Sequence, residues 1–224
     1  MALLTPDEKK RIGAAVAAAE ANTGGEIVTA VIPESDDYAA RELVFAGSVA
    51  ALAFLAAAFA TPRISLLLDQ WFWTASPALL PLAVGLVALT AGALAYVLAQ
   101  IPALDRLIVG KRAMAEAVRL RAMRHFAESA AYDTVDRTGV LLFLSALERR
   151  VELVADKGIN DAVAPDTWDR IVSALVRGMK DGRTAEALEK AVGDIGAVLA
   201  EHVPRRDDDE NELADGPTEL GRGS

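Results

Sequence analysis

The sequence predicts an α/β protein, a small mixed-sheet α/β/α sandwich interrupted by a two-helix transmembrane hairpin. Three observations carry that expectation. Two long uncharged apolar runs lie between Leu43 and Ile101. On either side of them, helical stripes alternate with short strand-like runs, one of which is apolar on both faces and wants helices above and below it. The composition is 53% hydrophobic and yet 25% charged, the average of an ordinary charged domain and a lipid-facing segment.

The first helix is announced by Thr5-Pro6-Asp7-Glu8. Thr5 can cap, Pro6 suits the first turn, and Glu8 three residues on completes a capping box. Ile12, Val16 and Ala19 follow at helical spacing to about Asn22, where Gly24 and Gly25 end the helix. Glu26–Ile32 reads as a strand with Ile27 and Val31 on one face and Val28, Ala30 and Ile32 on the other. A loop follows from Pro33, with Asp36 or Asp37 placed to cap the next helix.

That helix enters the bilayer. Leu43–Thr61 is nineteen residues without a charge, enough to cross a hydrocarbon core of about 30 Å at about 1.5 Å per residue. Arg63 to Asp69 reads as a short turn-around. A second helix from about Pro81 to Gln100 follows, with Trp71, Phe72 and Trp73 suited to an interfacial aromatic belt. The turn holds only Arg63, whereas the outer flanks carry Arg41, Arg106, Lys111, Arg112 and Arg119. The positive-inside rule therefore puts both termini in the cytoplasm, with the hairpin integral to an inner (plasma) membrane. Gly47/Ala51 and Ala88/Gly92 have the small-xxx-small spacing of close helix contacts, made either within the hairpin or to another chain in a homo-oligomer.

After Pro102 the pattern is helical to about Ala130, with Met114, Val118, Ala122 and Phe126 on one face and a basic remainder. Gly139–Ser145 is a buried strand. Arg150–Ala155 is a second, and the short link from Ala146 to Arg149 makes the pair an antiparallel hairpin. Asp156-Lys157-Gly158 is a turn. A helix from about Asp166 buries Trp168, Ile171, Val172, Leu175 and Met179, and Gly182 breaks it. Thr184 is placed to cap a last helix that buries Leu188, Ala191, Val192, Ile195 and Leu199 before Pro204.

The expected division is a split cytoplasmic domain, 1–37 plus 105–205, a hairpin over 38–104, and a disordered acidic tail over 206–224. The first piece is too short to bury a core alone. Its strand must therefore join the Gly139–Ser145 hairpin in one sheet, and a membrane hairpin returns the chain to the side that it left.

Composition also excludes functions. The chain has no cysteine, which removes thiol nucleophiles, thiolate zinc sites and iron–sulfur clusters. A formal charge of −9 argues against nonspecific nucleic-acid binding. The first forty residues lack the pattern of a cleavable signal peptide. His125 and His202 have no nucleophile near them in sequence, and Gly24-Gly25 precedes a strand rather than a helix, so it is not a phosphate loop.

In order, these stretches resemble the TPM domain family. The matching residues are Leu4-Thr5-Pro6 with Arg11-Ile12, Thr23-Gly24-Gly25-Glu26-Ile27-Val28, Phe126, Thr134 to Gly139-Val140-Leu141, and Glu148-Arg149-Arg150. They continue with Ala155-Asp156-Lys157-Gly158-Ile159, Trp168 and Asn211-Glu212-Leu213. The insertion is similar to the membrane-inserted branch of the family. The resemblance implies a mixed sheet with helices on both faces. It also implies the roles linked to members: calcium binding, weak acid phosphatase activity, photosystem repair and modulation of a membrane receptor. Many relatives present the domain outside the membrane behind a signal peptide, and this chain departs from that pattern.

In such a sandwich Asp136, ahead of one strand, and Asp156, after its antiparallel neighbour, share an edge with Asp161. Oxygen ligands of this kind suit calcium or magnesium. Asp133 and Asp166 serve neighbouring loops, and Glu26 is expected as a solvated strand end. The leading expectation is a noncatalytic membrane-anchored binding or scaffolding domain whose partner is a membrane or cytoplasmic protein, with a divalent cation assisting. Its rival is a metal-dependent phosphatase that uses Asp136, Asp156 and Asp161. Replacing Leu43–Ile101 by a short flexible linker should leave a soluble, cooperatively folding protein, checked by circular dichroism and thermal melting.

Overall fold

The structure is a computed structural model and describes residues 3–71, 76, 78–129, 137–205 and 216–221. The chain divides into two compact units. One comprises residues 1–37 and 112–224, and the other residues 38–111.

The first unit is built on a four-stranded mixed sheet, ordered β3-β2-β1-β4. Strand β1 (Ile27–Ile32) lies parallel to β2 (Val140–Ser145), with Ile27 opposite Val140 and Ile32 opposite Ser145. Strand β3 (Arg150–Ala155) runs antiparallel to β2, as the short link requires. Every residue of β2 is buried, because apolar layers cover both faces. On one face Ile27, Val31, Val140, Leu142 and Leu144 meet α1 (Pro6–Glu20), α8 (Pro165–Lys180) and α9 (Thr184–His202). On the other, Ala30, Ile32, Leu141 and Phe143 meet Val118, Ala122 and Phe126 of α6 (Lys111–Glu128). The α/β/α sandwich and the faces assigned to β1 are thus as the sequence predicts.

Local chemistry explains the ends. Thr5 and Glu8 form the reciprocal capping box of α1. Gly182, at φ +76°, stops α8, a conformation that glycine adopts without strain. Thr184 is not a cap: α9 starts at that residue, and its N-cap is Arg183, which makes no side-chain cap bond. The turn expected at Asp156 is a single helical turn, α7 (Lys157–Asn160), capped by Asp156 itself. Two glycines allow helices to touch. A Cβ on Gly196 of α9 would stand 2.5 Å from the Cβ of Ala19 in α1, and one on Gly178 of α8 would stand 2.3 Å from that of Ala187 in α9.

A tail without structure beyond Arg205 does not hold throughout. Thr218–Glu219 forms β4, parallel to β1 through Ala30 and Val31. Glu219 anchors it, accepting from the Leu4 backbone at 3.2 Å and pairing with Lys9 at 3.1 Å. Those contacts hold its carboxyl below the usual carboxylate range, with Lys9 the largest cause. The acidic run Asp207-Asp208-Asp209-Glu210 lies outside the described residues.

The second unit holds α2 (Ala39–Phe59) and α4 (Leu79–Ala99), each of 21 residues and each long and apolar enough to cross a membrane. They pack antiparallel, the start of α2 facing the end of α4. A Cβ on Gly92 would lie 2.9 Å from Ala50 of α2, whereas one on Gly47 would meet nothing within 4 Å. Gly92 of that spacing therefore lies against α2 within the hairpin itself, and Gly47 does not lie against α4. Helix α2 starts earlier than the uncharged run, after Tyr38 in the left-handed region. The N-cap position is Tyr38 rather than an aspartate, and Asp36 accepts from the Asp37 backbone at 2.9 Å. The expected turn-around at Arg63 to Asp69 lies within a helix, α3 (Thr61–Trp71). Trp71 ends it exposed, and Phe72 and Trp73 lie outside the described residues. One helix was expected after Pro102, but Gly110 at φ +80° divides it into α5 (Pro102–Val109) and α6.

Gly196→Ala should cost about 1–3 kcal/mol, because its Cβ meets side chain and backbone of Ala19 and the two helices must part. The drop is read as a lower thermal midpoint. Gly47→Ala, which meets nothing within 4 Å in the interior of α2, should hold or raise the midpoint, since alanine favours a helix over glycine.

Candidate functional site

The two ends of the sheet differ chemically. At the amino end of β1 and β2 sit buried acids. Glu20, closing α1, accepts from the Ile27 backbone at 2.8 Å, so its carboxylate serves the first amide of β1. Glu26 is buried rather than solvated, and its carbonyl accepts from Val140 at 2.8 Å. Asp156, only 6% exposed, ends β3 beside Gly139, to whose carbonyl its backbone donates at 2.9 Å. One carboxylate oxygen accepts from Lys157 N at 2.6 Å as the cap of α7. The other, Oδ2, is buried without a hydrogen-bond partner.

Of the three expected metal ligands, the structure brings two to the same helical turn. Asp156 caps its start and Asp161 its end. Asp161 is exposed and paired with Lys157, whereas Asp156 is buried. Asp136, like Asp133, lies outside the described residues. Asp166 pairs with Arg170 at 3.7 Å on the surface of α8. Among the described residues no three His, Cys, Asp or Glu side chains assemble as a metal site. Calcium takes about six to eight oxygens, and the described residues do not make up such a set.

At the carboxyl end of the same strands, Glu148 enters the sequence reading only within the run Glu148-Arg149-Arg150 of the family resemblance, and Ser35 and Ser145 are given no role there. Ser145, the last residue of β2, bonds Glu148 in the hairpin link and accepts from the Ser35 hydroxyl at 2.8 Å. The Ser35 backbone donates to Glu148 at 2.9 Å. All three residues are buried. The triangle ties the exit of β1 to the β2–β3 link, and it leaves Arg149 beyond it at φ +51°. A serine closing an apolar strand, three residues before a glutamate, was the signal available. A cavity of about 270 Å³ opens beside this link, between the ends of β1 and β2 and helices α8 and α9.

The α6 face of the sheet carries two perturbed groups. Glu152 of β3 is paired across the sheet with Phe143. Burial pushes its carboxyl above the usual range, against the pull of Arg119 and Arg150. Burial, followed by repulsion from Arg121, holds His125 below the usual imidazole range, and Glu128 opposes this. Arg121 itself is buried and reaches Glu128 at 3.7 Å, so it does not belong to the solvated basic face expected of α6. A raised folded-state value means that the Glu152 contribution is intact below about pH 4.3 and is lost as pH rises through the folded value. Glu152→Gln should therefore raise the thermal midpoint at pH 7 by about 1–2 °C, a gain that disappears at pH 4.

Comparison with known proteins agrees with this architecture. Residues 108–198 match the family model of the TPM domain. Among solved structures, the NMR structure of BA42 protein from the psychrophilic bacterium Bizionia argentinensis is similar, with a TM-score of 0.57 and 20% sequence identity. The match covers 98% of this chain and 97% of that one, and at this identity the likeness is one of fold. No curated protein matches. The segment that matches the TPM domain model spans α6, the β2–β3 hairpin, α8 and most of α9, so the family likeness rests on the part of the chain after the apolar hairpin.

Proposed function

We propose that this chain is a membrane-anchored TPM-like binding and scaffolding domain of the membrane-inserted branch. The α2/α4 hairpin crosses an inner (plasma) membrane, and both termini are cytoplasmic. The observation that carries the reading is the exposure of the hairpin. Only 11% of the apolar window of α2 and 17% of that of α4 is buried within the protein. Leu52, Phe59, Leu82 and Leu89 are more than half exposed. The core helices of a soluble protein bury such side chains, and a surface of this size left in water would aggregate. Lipid is the solvent that suits it. Arg63 on one side, against Arg41, Arg106 and Lys111 on the other, supports the orientation.

A binding rather than a catalytic role is supported by how the acids are used. Glu20 and Asp156 each give a carboxylate oxygen to a backbone amide, which is structural work. The partner is a membrane or cytoplasmic protein, or a second copy of the chain. Helix α6 adds an attachment to anionic headgroups. Its exposed Arg112, Arg119 and Arg124 flank Leu120 and Met123, which are 62% and 50% exposed, and basic residues near such a surface contribute about 1 kcal/mol each.

A second reading, calcium or magnesium at the amino edge through Asp156 with Asp136 and Asp161, has one observation in its favour. Asp156 Oδ2 is buried without a hydrogen-bond partner, a costly state for a carboxylate. A phosphatase built on that metal is the catalytic rival.

The tests separate these readings. The full chain should stay with membranes through alkaline carbonate extraction, and a reporter after Ser224 should be cytoplasmic; release into the supernatant or an external reporter overturns the anchor or its orientation. Purified protein should show no phosphatase turnover above background, whereas turnover lost in Asp156→Asn would establish the rival. For the metal, calorimetric titration with calcium and magnesium should give heat that Asp156→Asn abolishes. No heat at millimolar metal removes that reading and leaves the anchored binding domain standing.

A further inference from the structure

The cavity at the carboxyl end of β1 and β2 is chemically unlike the acidic edge at the other end of the sheet. The buried Val31 and Leu144 and Val176 of α8 line it, together with the exposed Arg149 and Lys180 and with Thr184. No acid lines it among the described residues. The Arg149 and Lys180 side chains have neither an ion pair nor a hydrogen bond to the described residues. Thr184 begins α9, whose N-cap supplies no side-chain acceptor, so the positive end of a nineteen-residue helix lies at the same opening.

Arg149 is also where the local backbone favours another residue. The last position of a short hairpin loop in the left-handed region is the place for glycine or asparagine. Here it is an arginine at φ +51°, held there by the buried Ser35, Ser145 and Glu148 triangle on the preceding residue. Backbone strain of this kind persists where the surroundings impose it, and it gathers at binding sites.

We infer that this cavity binds a small organic carboxylate with a compact apolar body. Its tail would lie on Val31, Leu144 and Val176, and its carboxylate would be met by Arg149, Lys180 and the Thr184 hydroxyl. The planar fork of arginine matches a carboxylate, and lysine adds a mobile point charge. A volume of about 270 Å³ equals roughly nine waters at about 30 Å³ each, which suits a ligand the size of a six-carbon acid. The site does not depend on whether the hairpin sits in lipid.

The experiment is a methyl-resolved NMR titration of the full chain in lipid nanodiscs, with hexanoate, hexan-1-ol and acetate as probes. Hexanoate at millimolar concentration should shift the methyl signals of Val31, Leu144 and Val176 saturably. The alcohol and acetate, each lacking one half of the match, should bind about tenfold more weakly or worse. Arg149→Gly should lose hexanoate binding about tenfold without lowering the thermal midpoint, because glycine takes that φ freely. Ala146→Leu, which adds bulk to the lining, should block the site. No saturable shift with hexanoate, equal binding of hexan-1-ol, or undiminished binding in Arg149→Gly would each overturn the inference.

Discussion

The parallel pairing of β1 with β2 is the constraint on which the structure depends. Six residues on each strand meet in register, although the 107 residues from 33 to 139 separate them in sequence. Closing so long a segment is entropically costly, yet the cost grows only by about 0.6 kcal/mol per doubling of length. Burying Ile27, Val31, Leu142 and Leu144 on one face and Ile32, Leu141 and Phe143 on the other far exceeds such increments, at about 1.5–3 kcal/mol for each large side chain. A domain can therefore be interrupted at this point without losing its fold. The insertion is tolerated because the strand on its near side has nowhere else to bury two apolar faces.

The same pairing gives the sheet two different ends. Parallel neighbours start together and finish together, so whatever precedes β1 and β2 gathers on one side and whatever follows gathers on the other. Acids collect at the start: Glu20, Glu26 and Asp156 are buried there. Hydroxyls, a buried glutamate and then two cations collect at the finish, around Ser145, Glu148, Arg149 and Lys180. The antiparallel β3 brings Asp156 to the acid end and Arg150 to the other, which extends the division to a third strand. β4 extends it no further, since only two residues pair with β1.

Much of the fold was legible because it is written in periodicity. The stripes of α1, α6, α8 and α9 and the two-sided strands each left a local pattern, and the buried residues follow it. What was not legible depends on a single backbone conformation or on distant partners. Gly110 could have continued a helix and instead takes φ +80°, splitting α5 from α6. The tail strand owes its position to Glu219 meeting Lys9 and the backbone of Leu4, more than two hundred residues away in sequence, which no local pattern announces. Arg121 sits in a basic run and yet is buried, because α6 turns that flank towards the interior. Of the candidate site, the edge for Asp156 was readable from strand order. Its difference from Asp161 was not, since both stand in a polar turn and only the capping geometry turns one inward and the other to Lys157.

Burial and hydrogen bonding together decide what the acids can do. A carboxylate that is to act on a substrate must have its oxygens available, whereas one that completes a fold gives them to amides. Glu20 caps the first amide of β1 and Asp156 the first turn of α7, so each holds together the edge at which it stands. Exchanging Asp156 for a side chain without oxygen would leave the start of α7 uncapped at about 0.5–2 kcal/mol, whatever became of any ligand. Asparagine keeps the cap and alters the charge alone. For that reason the asparagine variant separates a structural aspartate from a ligating one: a fold held by capping keeps its stability, while a bound cation loses its countercharge. The chemistry of this edge is thus subordinate to its architecture, whereas the cavity at the opposite end is lined by Arg149 and Lys180, whose charges no described acid pairs.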